Sequence, residues 1–482
     1  MKFVDRRMEL GLLDDVYQRE GPQFLIVYGR RRIGKTRLLT HWLEERGGKH
    51  FFWVATQTSA VNQLRHFSQD LFQFLNPEAS IEPTFSYASW EAAFEEVQRA
   101  AGKERFILVL DEFTYLLQSN PEVSSILQHI WDHNFKENTN ILLILTGSLA
   151  GMLQRHILDY KAPLYGRATA RLHLGPLPFG ALGELFPRFR PDQRVAAYAI
   201  AGGVPAYLEQ FNDQLTISEN LRQRIVTPIN TMMGDAIFLL HEQLGEPNNY
   251  MAIIEAIAAG EHTLSDIAEM SGISRTNISK YLGVLRDLGY VARRVPATVR
   301  RPEKSRKGRY VITDPYMRFY FRFLYPHVDF IERGMRGQTI SLMRDHLVDF
   351  IGAHTFEELC REWVTDQGDS GALPFSPERV GSYWSRDAQV DVVAISWRTK
   401  DILLGGCKWT QENVGRGAVR ELVTKSGDVV PGDNWAIHYV FFARSGFTKP
   451  AHDEAKNHKA ALVDLDRLDA DLQRWTNTLS SM

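Results

Sequence analysis

The sequence predicts an α/β protein of several modules: a parallel sheet covered by helices, then a winged helix-turn-helix, then a smaller α/β unit. Three observations carry that expectation. Short apolar runs recur through the first 176 residues, with gaps long enough for crossover helices. From 250 to 312 the apolar spacing becomes helical in short segments and gives way to basic, β-prone sequence. Beyond residue 350, helix-like and strand-like stretches alternate again. The 482 residues exceed what one hydrophobic core holds, and at about 150 residues per domain the length suggests roughly three.

Composition narrows the class. Hydrophobic residues make up 44% of the chain and charged residues 24%, the profile of a globular rather than a disordered protein. No apolar run approaches the roughly 18 to 20 residues a membrane helix needs, and the opening MKFVDRRMEL lacks an apolar signal core. The expectation is a cytoplasmic protein without a membrane partner. Cys360 and Cys407 are too few for a disulfide framework or a four-thiolate zinc site, and they fit a reducing compartment. A net charge of −2 conceals a local asymmetry: from Arg293 to Arg309 eight basic residues stand against one acid, Glu303.

The run QFLIVY, Gln23 to Tyr28, is continuously apolar and β-prone, as a strand buried on both faces would be, and it enters a glycine-flanked loop. Similar runs at 50–55, 105–110, 140–145 and 169–174 extend a parallel sheet through residues 1–176. Residues 177–245 read as a helical lid broken at Gly202, Gly203 and Pro205. The winged helix-turn-helix is expected over 246–313 and linker helices over 314–350, where core packing explains the aromatic stretch PYMRFYFRFLYPH. The last module, 351–482, is expected to hold a helix over 356–363, strands over 390–396 and 402–408, and a helix over 418–425.

Gly29-Arg30-Arg31-Arg32-Ile33-Gly34-Lys35-Thr36 satisfies G-x-x-x-x-G-K-[ST] after a buried strand and at the start of a helix, the context a P-loop requires. Its glycines let the backbone turn N–H groups toward phosphate oxygens, and the helix amino terminus adds favourable partial charge. Lys35 would reach the β- and γ-phosphates of ATP, and Thr36 would offer its hydroxyl to Mg²⁺. Arg37 completes the expected nucleotide-binding set. Arg30, Arg31 and Arg32 are either solvated loop charges or contacts to phosphate or a partner.

Phe106 to Glu112 is an apolar strand ending in two carboxylates, costly to place there without a use. Asp111 is the candidate Mg²⁺ ligand, and Glu112 the candidate base that polarises water for attack on the γ-phosphate. Ser148, after the run at 140–145, is a candidate γ-phosphate sensor or a turn cap. Arg167, in Tyr165-Gly166-Arg167, would supply transition-state charge in its own site or a neighbour's, or else form a surface ion pair.

These motifs, with FVDRRMEL at 3–10, PLYGR at 163–167 and GGVPAYL at 202–208, resemble the archaeal-type predicted ATPases of the AAA+ and STAND group, over nearly the whole chain. The resemblance implies ATP and Mg²⁺, Arg6 and Glu9 near the nucleotide's entry edge, and a lid turn at Gly203-Val204-Pro205 approaching the nucleotide. It also implies a switch-like ATPase rather than a metabolic enzyme, and a last module similar to the PD-(D/E)xK nuclease fold. That fold would use Glu357, Asp391 and Lys408, but the acid it wants two residues before Lys408 is Gly406. A degenerate module retained for binding or assembly is the expectation.

Leu264 to Ser271, the Gly272-Ile273-Ser274 turn and Arg275 to Leu288 fit helix, turn and recognition helix, with Ile267, Ala268, Ile273, Ile278, Leu282 and Leu285 as core. Arg275, Thr276, Asn277 and Lys280 would then face double-stranded DNA, with Arg300 and Arg301 in a basic wing that also draws on Arg293, Arg294 and Arg309. Winged helices also serve as protein docking modules. Three readings follow: an ATP-driven DNA-associated switch, a signalling ATPase that forms homo-oligomers or recruits a protein on ADP/ATP exchange, and an ATP-gated nuclease.

Overall fold

A computed structural model describes residues 2–148 and 159–479. They fall into two compact units: Arg6–Pro176, and the residues up to Asp5 with Leu177–Leu479.

In the first unit the apolar runs become β1 (Gln23–Tyr28), β2 (His50–Val54), β3 (Arg105–Asp111), β4 (Asn140–Gly147) and β5 (Ala170–His173). They form one sheet in the order β2-β3-β4-β1-β5, parallel throughout. The three inner strands are buried almost end to end, which is why their sequences show no polar alternation. Edge strand β2 alternates instead. Because β4 lies between β1 and β3, the loop after β1, the end of β3 and the end of β4 open on the same sheet edge. Helix α1 (Arg7–Gln18) precedes β1, and α2 (Lys35–Arg46) follows it.

The second unit begins with helices, including Pro191–Ala201 and Met232–Gln243. Gly203 is required there, because a Cβ would run into the backbone of Leu177, whose N–H donates to the Gly203 carbonyl at 2.7 Å. Arg194, on Pro191–Ala201, forms a buried two-pronged ion pair with Asp469 of the carboxyl-terminal helix Leu465–Leu479, at 3.0 and 2.5 Å.

Helices Asn248–Ala259, Leu264–Ser271 and Arg275–Asp287 and the antiparallel hairpin of β6 (Val291–Arg294) and β7 (Arg309–Ile312) make the winged helix. The Thr263 hydroxyl caps Leu264–Ser271, and Gly272 ends it in a left-handed conformation, φ 68°. Of the expected helix core, Ile267, Ala268, Ile278, Leu282 and Leu285 are buried, while Ile273 is half-exposed. The aromatics from Tyr316 to Phe323 are buried as core.

The last module is a mixed sheet in the order β12-β11-β10-β9-β8. β8 (Arg379–Trp384), β9 (Gln389–Ser396) and β10 (Asp401–Lys408) run antiparallel, then β11 (Ala436–Ala443) and β12 (Ala461–Asp464) continue parallel to β10. Helix Arg416–Val429 crosses between β10 and β11. Among the described residues no helix is long and apolar enough to cross a membrane.

The wing differs from expectation. Arg293 closes its own hairpin by donating to the carbonyls of Pro302 and Ser305, Arg294 pairs with Glu358 at 2.9 Å, and the Arg309 guanidinium lies 4.9 Å above the Trp384 ring. Ala297 is buried within the core of the last sheet, and its N–H donates to the Ser382 carbonyl at 2.8 Å. Three of the eight basic residues are thus structural. Arg293 and Arg294, adjacent on β6, point to opposite faces of the hairpin and each finds a partner there, while Arg300, Arg301, Lys304, Arg306 and Lys307 stay exposed at the hairpin tip.

Candidate functional site

The loop after β1 holds residues that only particular backbones allow. A Cβ at Gly29 would strike the carbonyl oxygen of Leu174, so the strand exit tolerates no side chain. Gly34 takes φ 96° and Arg32 takes φ 66°, a curl that leads directly into α2. Ile33 and Lys35 are buried, Arg30, Arg31, Arg32 and Arg37 half-buried, and Thr36 exposed. The three arginines are therefore not freely solvated.

Lys35 is the centre of a polar chain. Its ammonium donates to the carbonyls of Gly29 at 3.1 Å and Arg30 at 3.3 Å, and to Ser148 Oγ at 2.7 Å. Ser148 Oγ donates in turn to Glu112 Oε1 at 2.7 Å. Beside this chain, Thr36 Oγ1 donates to Asp111 Oδ2 at 2.6 Å. Asp111 Oδ1 accepts from the Thr146 hydroxyl and, at 3.1 Å, from the Glu112 N–H. Lys35, Asp111 and Ser148 are each at most 5% exposed.

Glu112 departs from the ordinary in two ways. It sits in the left-handed region at φ 50°, ψ 40°, a conformation that costs on the order of 1 kcal/mol or more for a side chain of this size. Among the described residues its Oε2 is buried without a hydrogen-bond partner. A buried carboxylate oxygen left open is expensive unless something else meets it. The donor set fits ATP with Mg²⁺: Thr36 and Asp111 present adjacent hard oxygens, Lys35 a cation, and Glu112 an open acceptor.

Thr146 was not among the candidates, although it holds Asp111 and the Glu112 backbone in place. The signal was in the register: β3 pairs Leu110 with Leu145, so the next residues, Asp111 and Thr146, are neighbours.

Arg6 lies 6% exposed, takes φ 68°, and pairs with Glu9 at 2.8 Å. It donates to the carbonyls of Gly175 at 2.7 Å and Ile33 at 3.4 Å, so it braces the P-loop from behind. Arg167 is committed elsewhere: its guanidinium forks onto Asp132 at 2.7 to 3.0 Å and onto the Pro163 carbonyl at 2.7 Å. Pro205 opens the short helix Pro205–Leu208 of the second unit.

In the winged helix, Arg275, Thr276, Asn277 and Lys280 are all exposed at the amino end of Arg275–Asp287. In the last module, Glu357 and Asp391 come together. Arg361 links them, donating to Glu357 Oε2 at 3.2 Å and to the Asp391 carbonyl at 2.8 Å. Burial, reinforced by the Asp391 charge, pushes the Glu357 carboxyl up to about 7, and burial also raises Asp391. Asp391 Oδ2 accepts from the Cys407 N–H at 2.9 Å. Lys408 is exposed at the end of β10, and a Cβ at Gly406 would rest against Phe441 and Leu422 at 3.6 to 3.8 Å. Among the described residues no three His, Cys, Asp or Glu side chains converge as a metal site.

Comparison with known proteins agrees with this arrangement. Residues 3–211 match a family described as an ATPase domain predominantly from Archaea, 246–302 match the MarR family, and 320–419 match a family of archaeal and bacterial proteins of unknown function. An uncharacterized protein of Methanocaldococcus jannaschii, MJECL04, is 34% identical over 96% of this chain and 99% of its own length. Among solved structures, the Walker-type ATPase PABY2304 of Pyrococcus abyssi is 20% identical, with a TM-score of 0.48 over 66% of this chain and 96% of that one. The ORC2 protein of Aeropyrum pernix, solved in ADPNP–ADP complexes, is 14% identical with a TM-score of 0.46 over 69% and 96%. With a P-loop ATPase domain, a MarR-type winged helix and a carboxyl-terminal mixed sheet in one chain, and a full-length relative at this identity, the protein belongs to the family of archaeal-type ATPases.

Proposed function

We propose that the first unit binds ATP with Mg²⁺ and hydrolyses it, and that the winged helix couples this cycle to double-stranded DNA. The observation that carries the reading is the Lys35–Ser148–Glu112 chain beside the Thr36–Asp111 pair, with Glu112 Oε2 left open. Lys35 would hold the β- and γ-phosphates, and Thr36 and Asp111 the metal. Mg²⁺, when bound, neutralises charge developing on the phosphate oxygens. Glu112 would orient and deprotonate the attacking water. Ser148, bonded to both Lys35 and Glu112, is placed to report whether a γ-phosphate has drawn the lysine away. Arg167 would have to leave Asp132 to reach a transition state, in its own site or a neighbour's.

Steady-state hydrolysis with and without duplex DNA, on wild type and Lys35→Ala, tests this. Wild-type turnover that DNA alters and that the variant loses by at least 100-fold is expected. DNA binding itself should weaken as salt rises, since the exposed cations of the recognition helix and hairpin tip would displace counterions. Absence of turnover despite ATP binding would overturn the hydrolytic reading.

The docking of Ala297, Arg294 and Arg309 on the last module supports a second reading, in which the winged helix is an intramolecular clamp and nucleotide exchange drives self-assembly without DNA. Nucleotide-dependent oligomers that ignore DNA would favour it. The nuclease reading rests on position 406. Gly406→Glu places a carboxylate beside Asp391 on the paired strand, and Mg²⁺-dependent strand cleavage above background is the expected result only if that site is otherwise complete; no gain leaves the module a binding element.

A further inference from the structure

The second unit encloses a cavity of about 540 Å³, a size typical of small-molecule sites. Winged-helix strands β6 and β7, strands β8 and β9 and the helices Gly337–Phe350 and Glu357–Asp369 all contribute to its lining. Five arginines reach its surface: Arg294, Arg309, Arg318, Arg322 and Arg361. Three are neutralised within the protein. Arg294 and Arg318 share Glu358 at 2.9 Å, and Arg361 pairs with Glu357 at 3.2 Å.

Arg309 and Arg322 make no ion pair among the described residues. Arg309 is held in plane by the indole of Trp384, 4.9 Å away, which fixes its donors without spending them. A guanidinium already ordered loses little entropy on meeting a phosphate. Besides Glu357 and Glu358, which pair with those arginines, the lining carries two acids outside those ion pairs, Asp349 of the helix Gly337–Phe350 and Asp391 of β9. Their presence disfavours a bare polyanion. It favours a ligand with one anionic group beside hydroxyl or amino donors, a combination that a nucleotide carries on its phosphate, ribose and base.

We propose that this cavity is a binding site for a nucleoside monophosphate or a nucleotide-sized phosphomonoester, its phosphate held by Arg309 and Arg322 and its hydroxyl or amino groups by Asp349 and Asp391. Arg309 opens β7 and Trp384 closes β8, so an occupant would tie the winged-helix hairpin to the edge of the last sheet. The site is built from the second unit alone and does not depend on the hydrolytic reading.

Calorimetry on the full chain carrying Lys35→Ala, which disables the P-loop lysine, tests it with the four nucleoside 5′-monophosphates, adenosine, inorganic phosphate and a 5′-phosphorylated oligonucleotide. At least one monophosphate is expected to bind ten-fold or more tighter than adenosine or phosphate. Arg309→Gln and Arg322→Gln should each weaken it ten-fold or more and leave adenosine unaffected. Arg322 is exposed and unpaired, so its variant keeps the fold, which circular dichroism checks. An oligonucleotide binding tighter than any monophosphate assigns the phosphate to a strand end, and the reverse assigns it to a free nucleotide. No binding of any phosphorylated probe, phosphate binding as tight as the nucleotides, or affinity unchanged in both variants overturns the proposal.

Discussion

Glu112→Gln is expected to lower ATP turnover by roughly 10²- to 10⁴-fold, the range for loss of a general base, while ATP affinity stays within a few-fold of wild type. At about 1.36 kcal/mol per decade this is ~2.7 to 5.4 kcal/mol of barrier. Glutamine has the same length, and its carbonyl oxygen still accepts from Ser148 Oγ, which meets Glu112 Oε1 at 2.7 Å. The chain back to Lys35 therefore survives. What changes is the open oxygen: Oε2 becomes an amide nitrogen that cannot take a proton from water. Comparing kcat with nucleotide affinity separates the outcomes. Equal turnover would remove Glu112 from its proposed role, and parallel loss of affinity and turnover would mean that the polar chain had collapsed.

Asp469→Ala is expected to destabilise the second unit by about 3 to 5 kcal/mol, the usual cost of leaving one partner of a buried ion pair behind. The side chains of Arg194 and Asp469 are 10% and 5% exposed, and without the carboxylate the guanidinium keeps only the Phe189 carbonyl among these partners. Replacing both, Arg194→Met with Asp469→Leu, should cost far less, because no charge is then stranded. Two compact units make whole-chain melting a poor two-state measurement, so amide exchange in Leu465–Leu479 is the better readout. If the double replacement costs as much as the single one, the pair is a packing element rather than an electrostatic one.

Sheet strands were legible because burial on both faces leaves no room for polar alternation: β1, β3 and β4 appear in the sequence as uninterrupted apolar runs. The polar site was legible for a related reason, since Asp111 and Glu112 end such a run and glycine flanks the other. Helix Leu264–Ser271 could be read from its turn and capping residues. β8 could not. All six of its residues are half-buried, and Gly381 and Ser382 break any β-prone pattern, because its neighbours are a hairpin loop on one face and β9 alongside. β11 carries a readable apolar run, Val440 to Ala443, yet its end, like β12, gains meaning only from the parallel pairing with β10. The structural roles of Arg293, Arg294 and Arg309 were hidden for a different reason. Charge in a sequence says nothing about which side of a two-stranded hairpin meets a carboxylate or an indole until the partner, here Glu358 or Trp384, is in place.

Burial of Ala297 in the core of the last sheet also sets an order of events during synthesis. The hairpin's docking surface includes Ser382, which gives its carbonyl to the Ala297 N–H, and Ile395, in the same hydrophobic core. Those residues leave the ribosome roughly 70 to 80 residues after the hairpin's last strand does, a wait of roughly 4 to 17 s at ordinary elongation rates. The first unit, finished at Pro176, has its complete sheet long before then. A nascent chain therefore carries a finished P-loop domain together with an undocked, strongly basic hairpin, and translation speed across residues 313–395 governs how long that hairpin stays available to whatever anion it meets first.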